Sequence, residues 1–212
     1  MRIILLRHAE SLGNVDELTY TRVPDHAIPL TGAGREQARE AGPAIRELLR
    51  GRRPAVYLSP YLRTRETFAL LEIEGACERV TQEPRLREQD WGNLQDPREQ
   101  QVQRQRRDEF GHFFYRLPHG ESGADVDDRV AAFLAELSAR GGDHPETVLI
   151  VSHGLTMRLL CRRLFGWSIE LFESLSNPRT CEHRVLEGEG AEWRLDRPFA
   201  QWRESPDGQT QG

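Results

Sequence analysis

Three stretches of this chain combine residue types that could act together on an anion. In the first, an apolar run at residues 3–6 is followed by Arg7-His8, with Glu10, Ser11 and Asn14 close behind. In the second, Ala55–Leu58 is followed by Ser59-Pro60 and then Arg63-Thr64. In the third, residues 147–151 run into Ser152-His153-Gly154. A cation, an imidazole, a hydroxyl and an amide gathered in one place suit a phosphate. With Arg7, Arg63 and His153 on the equatorial oxygens, His8 could attack phosphorus in line with the leaving oxygen. Glu88, in a polar stretch at 84–95, is a candidate proton donor to the leaving group and base toward water. Close arginines favour the neutral imidazole that such an attack needs, because like charge disfavours protonation. A hydrogen bond from its other ring nitrogen to a backbone carbonyl would set the tautomer. Facing a bound phosphate, the Glu88 carboxyl would be kept protonated near neutral pH.

These residues need a scaffold that delivers them to one rim. The three apolar runs are too short for helices and read as buried strands. In open α/β sheets, ligands bind beyond the carboxyl ends of the strands. Between the runs the spacing is helical. Thr31 is a candidate N-cap for a helix carrying Ala38, Ala41, Ile45, Leu48 and Leu49, ended by Gly51. Ser59 and Pro60 predict a helix starting directly after the second strand. A third short strand is expected at 79–81, a polar helix at 97–111, an amphipathic helix at 125–139 broken by Gly141-Gly142, and helices at 155–165 and 168–175. Segments 181–187 and 191–196 read as a hairpin, 15–29 and 84–95 as loops, and 203–212 as a polar tail after a domain spanning 1–202. The polar helix, with Arg104, Arg106 and Arg107, is either a solvated face or a lid bringing cations to the substrate.

Composition narrows the classes. The 212 residues suit one α/β domain, with 37% hydrophobic and 30% charged residues. All 29 basic residues are arginine, which removes Schiff-base lysines and the P-loop lysine. The net charge of −5 does not suggest nucleic-acid binding, and anion binding must come from local arginines. Cys77, Cys161 and Cys181 form no metal or redox motif and are expected as reduced thiols. His8-x-Glu10 lacks a third ligand, and Arg7 would repel a cation, so no metal is expected. His26, His112, His119, His144 and His183 sit in polar contexts and are expected at the surface. No run approaches a membrane span, and the opening lacks the pattern of a secretory signal, so a cytoplasmic location is expected.

Together these motifs resemble the histidine phosphatase superfamily in its phosphoglycerate-mutase-like branch. Arg7 to Asn14 is similar to Arg-His-Gly-Glu-Ser-x-x-Asn, with Ala9 for the glycine. Ser59 to Thr67 is similar to Ser-x-Leu-x-Arg-Thr-x-x-Thr, with the leucine shifted one place. Leu86-x-Glu88 with Gly92, Gly120-Glu121-Ser122 with Asp125, and Val151-Ser152-His153-Gly154 follow in the family's order. The resemblance covers about residues 1–165. It implies a single-domain three-layer α/β sandwich with a mostly parallel central sheet. It implies His8 as nucleophile, Glu88 as proton donor, and Arg7, Arg63 and His153 as the phosphate pocket. Asn14 and Gly154 would join substrate binding, with Ser11 and Thr31 as further contacts. Trp91 falls where mutases place a substrate-contacting tyrosine. The expected activity is a metal-independent phosphomonoesterase acting on small phosphorylated metabolites through a phosphohistidine. The alternatives are a phosphoglycerate mutase, which would need 2,3-bisphosphoglycerate as cofactor and could use Arg106-Arg107 for the substrate carboxylate, and a non-catalytic phospholigand-binding module. The expected partner is a phosphorylated small molecule, not nucleic acid or a membrane; a homodimer is allowed.

Overall fold

The computed structural model describes residues 1–93, 95–139, 146–190 and 192–211. The expected Gly141-Gly142 break and His144 lie outside the described residues. In chain order the elements are β1 (Arg2–Arg7), α1 (Leu12–Val15), α2 (Thr19–Arg22), α3 (Gly32–Leu49), β2 (Ala55–Leu58), α4 (Leu62–Leu70), β3 (Arg79–Gln82), α5 (Pro97–Phe110), α6 (Gly123–Ala139), β4 (Thr147–Ser152), α7 (Gly154–Phe165), α8 (Ile169–Ser174), β5 (His183–Glu189) and β6 (Glu192–Leu195).

The six strands form one sheet in the order β3-β2-β4-β1-β5-β6. The first four run parallel, and β5 and β6 are antiparallel additions beside β1. Strands β1, β2 and β4 are apolar on both faces because both faces are covered. One face packs Ile3, Leu5, Tyr57 and Ile150 against Val130 and Phe133 of α6 and Leu159 and Leu160 of α7. The other packs Ile4, Leu6, Val56 and Val151 against Ile45 and Leu49 of α3 and Phe68 of α4. The result is the expected α/β sandwich of three layers.

Thr31 caps α3, its hydroxyl accepting from Gly34 N at 2.9 Å. The α4 start differs from expectation. Tyr61, not Ser59, is its N-cap, and the helix begins at Leu62. The Ser59 hydroxyl instead meets the His153 ring nitrogen Nε2 at 2.7 Å, an interaction between distant parts of the chain that no local cap rule could reveal. The 15–29 stretch also carries more structure than a loop, with α2 and a single 3-10 turn at Asp25–Ala27. The described part of the polar tail, residues 203–211, lies back on the domain. Trp167 Nε1 donates to Gln211 O at 3.2 Å, and Phe199 N donates to Gln211 Oε1 at 2.6 Å.

Register is what builds the site. Arg7 lies opposite Ser152 and Leu58 opposite Val151, so β1, β4 and β2 end level with one another. Strand β4 stands between the other two. Beyond the strands the pairing runs one step further: His8 N donates to Ser152 O at 2.9 Å and Ser59 N to Val151 O at 3.0 Å.

Candidate active site

His8 is 3% exposed at the end of β1, and its ring centroid is 5.1 Å from that of His153. Its Nδ1 lies 2.7 Å from Ala9 O. A carbonyl only accepts, so in the neutral ring Nδ1 carries the proton and Nε2 keeps its lone pair. Burial first, then Arg63 and Arg7, hold the imidazole well below its ordinary 6.5. The ring is therefore neutral near physiological pH, with a lone pair on Nε2.

His153 is the fully buried N-cap of α7. Burial, then Arg63, His8 and Arg7, lower it well below 6.5 as well. When Ser59 donates to Nε2, the ring proton sits on Nδ1. That nitrogen is buried and has no partner among the described residues. Twelve-residue α7 begins directly after it, directing the partial positive charge of its first amides to the same place.

Arg63, 2% exposed in the first turn of α4, donates Nη1 to Asp25 O at 2.8 Å and Asp25 Oδ1 at 2.7 Å. Its guanidinium lies 4.9 Å from the Tyr61 ring centroid, and that ring is 5.2 Å from His153. Arg7 donates to the carbonyl of Pro178. The Nε atoms of Arg7 and Arg63 are both buried without partners, like His153 Nδ1. A buried donor left unpaired is costly, and an anion at this end of the sheet would offer acceptors to such groups.

Glu88 follows a 3-10 turn at Pro84–Leu86 and accepts from Gln89 N at 3.1 Å. Burial raises its carboxyl, against the pull of the Gln89 amide, Arg63 and Arg7; Asp25 adds to the rise. It lines a cavity of about 310 Å³ with Arg7, Asn14, Arg104, Arg107, Trp91 and Asn177. An adjoining chamber of about 520 Å³ shares Tyr20, Asp25, Trp91 and Gln100 with it. A larger hollow of about 1010 Å³, bordered by Arg2, Glu187 and Trp193, lies at the amino end of β1, away from this chemistry.

Of the sequence-predicted residues Arg7, Glu88 and Asn14 line this cavity, while His8, Arg63, His153, Gly154, Ser11 and Thr31 are not among its lining residues. Asn14 Oδ1 accepts from Ser11 N at 2.9 Å and from Ser11 Oγ at 3.0 Å. The Ser11 hydroxyl is thereby engaged in capping α1, and it is fully buried. Thr31 Oγ1 donates to Glu10 Oε1 at 2.6 Å while capping α3. Of the arginines on α5, Arg107 is 8% exposed at the cavity wall and donates to Gln89 Oε1 at 3.0 Å. Arg104 also lines it, paired with Glu17. Arg106 is exposed to solvent. The helix is thus a cavity wall on one side and a solvated face on the other. Sequence reasoning missed Asp25, Tyr20, Asn177 and the Pro178 carbonyl. The 15–29 stretch offered one signal, an acidic residue between prolines; the 176–178 stretch offered none. Cys77 and Cys161 are buried free thiols and Cys181 is partly buried. Among the described residues no His, Cys, Asp and Glu group could hold a metal ion, and no helix is long and apolar enough to cross a membrane.

Residues 3–201 match the model of the histidine phosphatase superfamily, branch 1. The chain belongs to this family. Among curated relatives, the phosphoglycerate mutase-like protein AT74 of Arabidopsis thaliana is 42% identical, covering 97% of this chain and 72% of the relative. The broad-range acid phosphatase DET1 of Saccharomyces cerevisiae is 29% identical over 87% and 84%. Among solved structures, a mycobacterial glucosyl-3-phosphoglycerate phosphatase in complex with VO3 superposes with a TM-score of 0.74 at 28% identity, covering 94% of this chain and 99% of that one. The homology supports a phosphatase or mutase-like enzyme acting on phosphorylated small molecules.

Proposed function

We propose that this histidine phosphatase hydrolyses phosphomonoesters of small metabolites through a phosphohistidine on His8. The observation that carries the reading is the buried cluster at the strand ends: His8 and His153 with ring centroids 5.1 Å apart, Nδ1 of His8 held by Ala9 O so that Nε2 keeps its lone pair, and Arg63 and Arg7 close enough to depress the ring's protonation. In the first half-reaction His8 Nε2 bonds to phosphorus as the bond from phosphorus to the ester oxygen breaks. Protonated Glu88 gives its proton to the departing alkoxide. Arg7, Arg63 and His153 hold the equatorial oxygens as charge spreads onto them. In the second half, water attacks the phosphohistidine. Glu88, now a carboxylate, takes its proton, and phosphate leaves with His8 restored.

Inorganic phosphate release from a panel of phosphate esters tests the activity. His8→Ala should remove turnover while vanadate still binds, and wild type should give an acid-labile phosphoprotein during turnover. Full turnover in His8→Ala removes the mechanism. The mutase reading draws on one observation, the buried Arg107 in the cavity wall, which could meet a second anionic group on the substrate. A mutase must exclude water until the intermediate rephosphorylates its product. Interconversion of 3- and 2-phosphoglycerate, stimulated by the bisphosphate and faster than phosphate loss, would decide for it.

A further inference from the structure

Asn177 lies between α8 and β5, and it lines the inner cavity beside Arg7, Glu88 and Leu155. Its orientation is fixed from behind. Arg158, 2% exposed on α7, donates Nε to Asn177 Oδ1 at 2.9 Å, and Nη1 to the carbonyls of Leu175 at 2.8 Å and Phe172 at 3.3 Å. A guanidinium has donors only, so the amide must turn its oxygen to Arg158 and its NH2 the other way. Among the described residues Asn177 Nδ2 donates to nothing, and the residue is exposed, so its NH2 is open to a ligand.

Two neighbours share the arrangement. A Cβ on Gly154 would stand 2.6 Å from Asn177 Cγ, so only glycine lets this side chain come up against the start of α7 next to His153. The following residue, Pro178, supplies the carbonyl that holds Arg7. A buried cation is expensive to keep without an acidic partner. Arg158 makes no ion pair among the described residues, and its hydrogen bonds all go to the 172–177 segment. That makes it an orienting group for this segment.

We infer that Asn177 is a substrate-binding residue, its Nδ2 donating to an oxygen of the bound phosphoester, and that Arg158 is the residue that positions it. The inference rests on the phosphoester reading above. A neutral donor adds a contact to the ester without adding charge to a cavity that already holds Arg7, Arg104 and Arg107.

The test uses the full chain and orthovanadate, with calorimetric titration and side-chain amide NMR. Asn177→Asp keeps an acceptor for Arg158 and so keeps the fold, but replaces the NH2 with a negative oxygen. Wild type should bind vanadate with a shift of the Asn177 NH2 resonances. Asn177→Asp and Asn177→Ala should bind it about 10- to 100-fold more weakly, the loss expected for one hydrogen bond to a charged group. Arg158→Met should lose as much as Asn177→Ala, with no further loss in the double variant. Should Arg158→Met not fold, the two Asn177 variants decide alone. Tight vanadate binding by wild type and equally tight binding by Asn177→Asp and Asn177→Ala would overturn the inference and leave the phosphoester reading standing. No binding of vanadate or phosphate by wild type would overturn that reading, and this inference with it.

Discussion

The neutral, buried pair His8 and His153 should make this protein acid-sensitive in a window where ordinary carboxylates stay ionised. Both folded-state pKa values lie well below the ordinary 6.5, chiefly through burial. A group depressed in the folded state contributes stability that is present above its unfolded pKa and lost as pH falls toward its folded one. Between pH 7.5 and 5.5 the unfolded chain takes up a proton at each histidine that the folded chain refuses. Integrated over that window, this costs on the order of 1 kcal/mol per histidine, or up to about 3 kcal/mol for the pair. For a domain of this size that lowers the melting temperature by roughly 5–11 °C. His112 and His183 are also lowered, mainly by burial, and act in the same direction; Glu88, raised, acts in the opposite one. The measurement is therefore a difference: urea unfolding at both pH values for wild type and for the His8→Gln, His153→Asn double variant. Whatever its starting stability, the variant's pH dependence should be flatter by up to about 3 kcal/mol. An equal pH dependence in the two proteins would mean that these imidazoles titrate normally in the folded state, and a neutral nucleophile could not be argued from burial.

Other outcomes follow from particular contacts. A Cβ at Gly34 would sit 1.9 Å from Glu10 O, a backbone atom two residues after His8; Gly34→Ala should cost about 3 kcal/mol in chemical unfolding and lower kcat by displacing the end of β1. Arg107→Ala should raise KM about 10- to 100-fold for esters bearing a second anionic group, and little for simple esters, in a steady-state comparison of the two classes. Asp25→Asn removes the carboxylate opposite Arg63 and a charge that raises Glu88; the basic limb of the kcat profile should move to lower pH, as pH–rate curves would reveal. Exhaustive treatment with EDTA should leave phosphate release unchanged.

The sequence by itself determined the parallel strands, the helices on both faces and the residues at the strand ends, because each was written in a local pattern. Two-sided apolar runs marked β1, β2 and β4, and a polarity switch within one or two residues marked where His8 and His153 emerge. It also pointed to the family, since Arg7-His8, Arg63, Glu88 and His153 stand in motifs that resemble the histidine phosphatases, to whose model residues 3–201 match. What it left open depended on groups far apart in the chain. Ser59 looked like a helix cap because Ser-Pro before a helix usually is one; only the level ends of β2 and β4 bring it to His153 instead. Asp25 could be matched to Arg63, and Asn177 to Arg158, only once α4 and α7 had packed on opposite sides of the sheet. Periodicity records which face a residue presents to the core. It holds no record of which distant side chain completes a polar pair, so those partners were decided by the tertiary structure alone.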